Sequence, residues 1–131
     1  MQTSHQHLHN QALQVVSRYK KSEVELIEIL EKIDRYKVYY NYGYNSLFQY
    51  AVKALGLSEE VAYIFINVSR KTREVPELKE QIKQGHITVS KAKKITSVLT
   101  TQNQRHWLEL AKTCSKQKLE KQVAQASPKQ S

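Results

Sequence analysis

The stretch Asn45–Arg70, NSLFQYAVKALGLSEEVAYIFINVSR, predicts two short helices joined by a tight turn. Ser46 and the asparagine before it are residue types that cap a helix start. Gly56 can end this first helix, because glycine adopts left-handed backbone angles without strain. Ser58 caps a second helix whose first turn is acidic, as the helix dipole favours. This outline is typical of a helix-turn-helix unit, which we place at residues 45–73.

The apolar residues of this unit recur at three- and four-residue spacing, which places them on one side of each helix. In the first helix they are Leu47, Phe48, Ala51, Val52 and Leu55. In the second helix they are Val61, Ala62, Phe65, Ile66 and Val68. We expect both sets to be buried, with the small alanines where the two helices cross closely.

A longer amphipathic pattern precedes the unit. Its apolar residues are again three and four apart, and acid-first charge pairs occupy the other face, so we predict one helix over residues 23–41 that ends before Gly43. A helix with this spacing can pack on its own domain or pair with a second copy of the chain. We favour packing within the domain and keep a homodimer as the alternative.

Further helices are predicted after the unit. Pro76 cannot continue the preceding helix and opens a new one, which Gly85 ends. Thr88 or Ser90 starts the next helix, and residues 102–126 supply one or two more. The sequence therefore predicts an all-α, compact multi-helix domain with a helix-turn-helix-like central pair.

The chain of 131 residues is long enough for one domain with a core. We assign a polar, partly disordered leader to residues 1–21, the helical domain to residues 22–126 and a disordered tail to residues 127–131. Cys114 is the single cysteine, so no intramolecular disulfide can form. We expect it to be a buried structural thiol in a reducing compartment, the cytoplasm.

The net charge of +9 is unevenly distributed. Residues 1–69 carry seven Lys or Arg and seven Asp or Glu, whereas residues 70–131 carry fourteen and five. All of the excess positive charge therefore lies in the second half, as expected of a face that attracts a polyanion such as nucleic acid. A solvated basic surface without a partner is the other interpretation.

No pattern in the sequence predicts a catalytic or metal site. The five His are isolated or alternate in the polar leader, without cysteine or acidic residues at ligand spacing. Three scattered Gly cannot build a phosphate-binding loop, and no His, thiol and carboxylate set converges. We therefore predict no enzyme activity, no cofactor, no metal and no small-molecule substrate. The chain also has no long apolar run, so we predict no membrane partner.

Two groups of basic residues are candidates for phosphate contacts with double-stranded DNA. They are Arg70, Lys71 and Arg73 at the end of the second helix, and Lys91, Lys93 and Lys94 on a later helix. The candidates for base contacts, on the exposed side of the second helix, are Ser58, Tyr63 and Asn67. Glu59 and Glu60 at its start would repel phosphates, so we expect non-specific or weakly sequence-specific binding.

The central part of the chain is similar to a known bacterial pattern. That pattern has Gly-aromatic-x-Ser-Leu-x-x-Tyr, then Leu-Gly-x-Ser with an Ala-Tyr pair, then a Val-Pro helix ending in Gly, then a Ser-x-Ala helix. The matching residues are Gly43, Tyr44, Ser46, Leu47, Tyr50, Leu55, Gly56, Ser58, Ala62, Tyr63, Val75, Pro76, Gly85, Ser90 and Ala92. Residues 23–99 thus resemble the helical domain found amino-terminal to the nuclease domain of bacterial HNH endonuclease-like proteins. The order of helices and turn residues is also similar to that in the helix-turn-helix region of ParB-type partition proteins, and the resemblance implies a helical fold. If the chain binds DNA, we expect it to be associated with the nucleoid.

The chain departs from this pattern in two ways. It has Ile64 and Phe65 where the family usually has Arg residues after the Ala-Tyr pair, and it contains no His-Asn-His arrangement or zinc-knuckle cysteines. The resemblance therefore does not imply nuclease activity. The first departure supports an alternative function, a protein-interaction or dimerisation module that regulates a nuclease-like or other DNA-associated partner.

Overall fold

A computed structural model describes residues 3–126 of the chain. Seven α-helices account for most of these residues, and no strand occurs among them. They are α1 (Ser4–Tyr36), α2 (Leu47–Gln49), α3 (Glu59–Glu74), α4 (Pro76–Lys83), α5 (Val89–Ile95), α6 (Gln104–Thr113) and α7 (Lys116–Ala126). The prediction of an all-α domain is confirmed. The tail that we predicted to be disordered lies outside the described residues.

Helix α3 is the centre of the fold. Helices α1, α2, α4 and α5 pack against it, and α6 and α7 pack on α5. The buried residues of α3 are Ala62, Phe65, Ile66, Val68, Ser69 and Thr72. Ser69 and Thr72 donate their hydroxyl protons to backbone carbonyls three residues earlier, at 2.9 and 2.7 Å. Their burial therefore leaves no hydroxyl donor without a partner.

The two helices expected within residues 45–73 are present, and their starts are capped as expected. The Ser46 hydroxyl accepts a hydrogen bond from the Gln49 amide at 3.1 Å, and the Ser58 hydroxyl accepts one from the Val61 amide at 3.2 Å. Gly56 lies between the two helices with φ +76°, in the left-handed region. These short-range contacts fix the turn that leads into α3.

The first of these helices changes its geometry part-way along. After α2, Tyr50–Ala54 forms a π-helical turn in which the Leu55 amide donates to the Tyr50 carbonyl at 3.1 Å. A π turn holds more residues than an α turn, so the residues after it are rotated relative to α-helical spacing. Leu55 is 41% exposed and Phe48, on α2 itself, is 39% exposed. The prediction that these two side chains are buried is wrong, although Leu47 and Ala51 of the same set are buried.

Helix α1 begins much earlier than expected, at Ser4. The prediction of a helix start at residue 23 is therefore wrong, and residues 4–21 of the predicted leader are helical. A capping box explains the early start, because Thr3 and Gln6 each accept a hydrogen bond from the other's backbone amide, at 3.0 and 2.9 Å. The residues that follow include no proline or glycine that would interrupt the helix.

The end of α1 also differs from the expected one. Lys37 adopts left-handed backbone angles with φ +52°, and its amide donates to the Asp34 carbonyl at 3.3 Å. A 3₁₀ turn, Val38–Tyr42, follows and ends at Gly43. The helix therefore ends at Tyr36 rather than at residue 41, and the turn brings the ring of Tyr39 into the core.

The helices after α3 begin at the predicted proline and cap residues. Pro76 opens α4, and Thr88 rather than Ser90 caps α5, with its hydroxyl accepting from the Lys91 amide at 3.2 Å. Cys114 is extended and separates α6 from α7, and the residue is buried, as expected of a structural thiol. None of the helices in the described part of the chain has both the length and the apolar character needed to cross a membrane.

Candidate nucleic-acid interface

The first predicted group of basic residues lies at the end of α3, where two of its members bind α1. Arg70 donates to both carboxylate oxygens of Asp34 at 3.1 Å. Arg73 donates to Asp34 at 2.6 Å and to Glu31 at 3.0 Å. Glu31 also accepts hydrogen bonds from Arg35 of α1, so three guanidinium groups share two carboxylates. This cluster joins α1 to α3, and most of its positive charge is paired within the chain.

The protonation of this cluster follows from its contacts. Burial acts to raise the pKa of Asp34, but the hydrogen bonds and charges of Arg70 and Arg73 outweigh burial, so the pKa lies below its ordinary value. The hydrogen bond to Asp34 in turn raises the pKa of Arg70. Both partners are therefore charged at neutral pH, and the joint is an ion pair.

Lys71, the third member of this group, also has partners within the chain. Its ammonium group donates to the Leu99 carbonyl and to a Glu74 carboxylate oxygen, both at 2.8 Å. Only 15% of the side chain is exposed. Lys71 therefore ties the end of α3 to the segment that follows α5.

Replacing Lys71 with methionine is expected to lower the free energy of unfolding by about 1–2 kcal/mol, because the partly buried Leu99 carbonyl loses its donor while the apolar stem is kept. Chemical denaturation at neutral pH measures this change. Lys53→Met, at an exposed position, is the matched control and is expected to have almost no effect. Equal stability of the two variants would mean that the contact with Leu99 contributes nothing.

The second predicted group lies on α5, and its members have different surroundings. Lys91 donates to the Cys114 carbonyl, and Lys94 forms an ion pair with Glu120 of α7. Lys93 instead lies over the ring of Tyr63 on α3, with its ammonium nitrogen 4.8 Å from the ring centroid. This distance is within the range of a cation–π interaction. Lys93 is thus the member of the group that connects α5 to the predicted base-reading helix.

A shallow groove of about 280 Å³ runs between α3 and α5, and we call it the α3–α5 groove. Its lining residues are Tyr63, Asn67, Arg70, Lys71, Glu74, Lys93, Thr96 and Ser97. The fold therefore brings together five of the nine predicted site residues. The other four lie outside the groove: Ser58 caps α3, Arg73 faces α1, and Lys91 and Lys94 face the α6–α7 side.

Helix α3 exposes only a narrow strip of its surface beside this groove. The strip contains Glu60, Tyr63, Asn67, Arg70 and Glu74, spaced three or four residues apart. Tyr63 is 55% exposed, and the Asn67 side-chain amide donates to the Tyr63 carbonyl at 2.7 Å. Apart from Glu59 and Arg73, the other side chains of α3 are buried or half-buried, and the strip is acidic at both ends. Of the three cations that line the groove, Arg70 and Lys71 are paired with carboxylates, whereas Lys93 of α5 lies over the Tyr63 ring.

Sequence reasoning missed the basic residues of α7. Lys116 donates to the Ser90 hydroxyl of α5 at 3.3 Å, and Glu120 one turn later meets Lys94. Helices α5 and α7 together carry six lysines and one glutamate. The dense lysines of residues 112–121 were visible in the sequence, but only the packing of α7 on α5 places them beside the predicted group. We call Lys93, Lys94 and Lys116 the basic face, in which Lys93 lies on the α3 side of α5, and Lys94, paired with Glu120, and Lys116 lie on the α7 side.

Comparisons with known proteins identified no relative of this chain. No protein family, curated protein or solved structure matches the chain. The resemblance to the helical domain of HNH endonuclease-like proteins stays a prediction that depends on the residues quoted above.

Proposed function

We propose that this chain is a DNA-binding helical module with weak or no sequence specificity and without nuclease activity of its own. The observation that carries the proposal is the charge of α5 and α7, two helices in contact that hold six lysines and one glutamate. Residues 1–83, by contrast, carry twelve basic and ten acidic residues. A concentrated positive face of this kind favours a polyanion, and duplex DNA is the polyanion that the sequence resemblance suggests.

The basic face suits phosphate contacts better than base contacts. Lysine ammonium groups act as point charges and carry no sequence information when they contact the backbone of DNA. Tyr63 and Asn67, on the adjoining strip of α3, are the polar groups available to a base edge. Glu60 and Glu74 at the ends of that strip repel phosphates and oppose deep entry of α3 into a major groove. Weak specificity follows, and a cytoplasmic, nucleoid-associated location goes with this proposal.

Fluorescence anisotropy with a labelled random-sequence duplex tests the proposal. If three lysines contact phosphates, the affinity is expected to fall roughly 40-fold between about 50 and about 200 mM salt, because each contact contributes a slope of about 0.9. Neutralising the basic face with Lys93→Gln, Lys94→Gln and Lys116→Gln is expected to remove most of that slope. Absence of binding at about 50 mM salt would exclude the proposed function.

The matched control removes the same charge elsewhere. Lys20, Lys21 and Lys53 are exposed and lie on α1 and on the π turn. Their replacement by glutamine lowers the net charge equally, and we expect the salt dependence to stay close to that of the unaltered chain. Equal losses in the two triple variants would show that net charge alone attracts DNA and that the basic face is not the site.

A second candidate function is a dimerisation or protein-interaction module. The observation that favours it is the set of large apolar side chains that α1 exposes, of which Leu8 is 60% exposed and Val15 is 52% exposed. Such residues on a solvent-facing helix are typical of an interaction surface. The partner that fits this surface is derived below.

A further inference from the structure

Helix α1 extends beyond the domain to which it belongs. At about 1.5 Å per residue it is roughly 50 Å long. Its buried residues, Val24, Ile27 and Leu30, all lie in its second half. Between residues 3 and 22 every side chain except that of Asn10 is exposed. Because most helical stability in proteins comes from packing of an apolar face, the first half of α1 has the character of a helix that packs on another molecule.

A seam of residues with heptad spacing follows the whole length of α1. Its positions alternate in steps of four and three, which keeps the period at 3.5 residues over four heptads. They are Leu8, Ala12, Val15, Tyr19, Ser22, Leu26, Ile29, Ile33 and Tyr36. Five of them, Leu8, Val15, Tyr19, Ile29 and Tyr36, are exposed large hydrophobic residues. The pattern is that of one strand of a coiled coil.

The seam lies beside the face that α1 uses within its own domain, and two of its members, Leu26 and Ile33, are half-buried against the core of that domain. At about 100° per residue, the seam is roughly a third of a turn away from the stripe that contains Val24, Ile27 and Leu30. The exposed part of the seam can therefore be covered while α1 stays packed on its own domain. A second helix on the seam would not displace α3 or α4 from α1.

We propose that α1 pairs with α1 of a second copy of this chain in an antiparallel coiled coil, whose two-fold axis passes between Lys20 and Lys21. In this register every seam residue from Leu8 to Ile33 has a counterpart in the other copy. The opposed pairs are Leu8 with the partner's Ile33, Ala12 with the partner's Ile29, Val15 with the partner's Leu26, and Tyr19 with the partner's Ser22. The free half of each α1 covers the seam beside the other copy's domain.

The sizes of the seam residues favour the antiparallel orientation. It places the smallest side chains opposite larger ones, Ala12 against the partner's Ile29 and Ser22 against the partner's Tyr19. A parallel, in-register pair would instead place alanine against alanine and serine against serine, which leaves voids, and tyrosine against tyrosine, which crowds one layer. Alternation of large and small residues across facing positions is what a well-packed core requires.

The charges beside the seam are also compatible with the antiparallel orientation. Arg18 lies opposite the partner's Glu25, and two-fold symmetry repeats this attractive pair. Gln11 lies opposite the partner's Lys32, and Val16 lies opposite the partner's Glu23, so neither contact joins like charges. The antiparallel register therefore gains two ion pairs without an opposing repulsion. A parallel pair would also form two ion pairs, between Arg18 and the partner's Glu23, so the sizes of the seam residues decide the orientation.

The mass of the full chain in solution tests the pairing. Sedimentation or light scattering across a concentration series is expected to show a dimer of the 15.3 kDa chain. Leu8→Glu is expected to weaken the dimer at least about 100-fold, because it buries a carboxylate opposite the partner's Ile33. Leu13→Glu is the matched control, since Leu13 is 57% exposed but lies off the seam. A monomeric wild-type chain, or equal weakening by the two variants, would overturn the proposal.

Two further experiments test the orientation. Arg18→Glu and Glu25→Arg are each expected to weaken the dimer, and the double variant to restore it, whereas in a parallel pair Glu25 faces no charge and the double variant restores nothing. Under mild oxidation, Ala12→Cys combined with Ile29→Cys is expected to cross-link the two copies, and Ala12→Cys alone is not. Cross-linking by the single variant would overturn the antiparallel register. Circular dichroism of each variant checks that the helical domain is intact.

Discussion

Replacing Leu47 with alanine is expected to lower the free energy of unfolding by about 2–5 kcal/mol, whereas the same change at Leu55 is expected to cost only about 1 kcal/mol. Leu47 is 1% exposed and Leu55 is 41% exposed, although both belong to the same helical segment. Truncation of a buried leucine removes apolar contacts and leaves a cavity. Truncation at Leu55 removes contacts on one side only and leaves no enclosed space.

Urea unfolding followed by circular dichroism, at one protein concentration for both variants, measures this difference. The comparison is sharp because α-helical spacing places the two leucines on the same face, and only the π turn after Tyr50 separates them. Similar losses at the two positions would mean that the segment is an ordinary α-helix with both side chains in the core.

Local capping and helix-breaking residues explain why most of the helices could be predicted from the sequence. The caps at Ser46 and Ser58, the break at Pro76 and the left-handed turn at Gly56 each depend on contacts within about four residues of the chain. Such contacts can be inferred from residue type and spacing. The π turn could not be inferred in this way, because the same apolar residues at the same positions are compatible with an α-helical turn.

The free first half of α1 could have been predicted, because its signal was present in the sequence. Leu8, Val15 and Tyr19 continue the heptad spacing of Leu26 and later residues without a change of phase. Because the first residues are polar, we predicted a separate leader there and not the beginning of the helix. The unbroken period was the better indicator of where the helix begins.

The pairing of the basic residues with groups of the same chain could not be predicted, because their partners are distant in the sequence. Arg70 meets Asp34 across 36 residues, Arg73 meets Glu31 across 42, and Lys71 meets Leu99 across 28. The sequence shows three cations close together, but the fold supplies the carboxylates and the carbonyl that they bind. Runs of basic residues therefore indicated a free surface where the structure has a joint between helices.

Replacing Asp34 with asparagine is expected to lower the free energy of unfolding at neutral pH by about 2–3 kcal/mol. Asp34 is 10% exposed and accepts hydrogen bonds from two guanidinium groups whose side chains are 55% and 43% exposed, so its replacement weakens charge-assisted hydrogen bonds to a largely buried carboxylate. Glu28→Gln is the matched control, because Glu28 meets Lys79 at 3.3 Å with both side chains more than a third exposed. An exposed pair of this kind is expected to contribute less than about 1 kcal/mol.

The pH dependence of this loss of stability distinguishes a contribution of the Asp34 charge from a contribution of side-chain packing. The pKa of Asp34 is lower in the folded chain than in the unfolded chain, so its contribution is fully present above the unfolded pKa of about 4. That contribution is lost as the pH falls through the lower pKa of the folded state. The difference in stability between the unaltered chain and Asp34→Asn is therefore expected to shrink in acid, when denaturation is compared at neutral and acidic pH. A difference that stays constant with pH would mean that packing, and not the charge of Asp34, causes the loss of stability.

The same variant tests whether the joint masks a DNA contact. With Asp34 neutral, Arg73 retains its contact with Glu31, whereas Arg70, which lines the α3–α5 groove, loses the charge of its carboxylate partner. If the basic face binds a duplex, the affinity of Asp34→Asn at constant salt is expected to rise, because one carboxylate beside the groove is removed and a guanidinium group is released. Unchanged affinity together with the loss of stability would restrict both arginines to holding α1 on α3. Phosphate contact would then depend on the lysines of α5 and α7 alone.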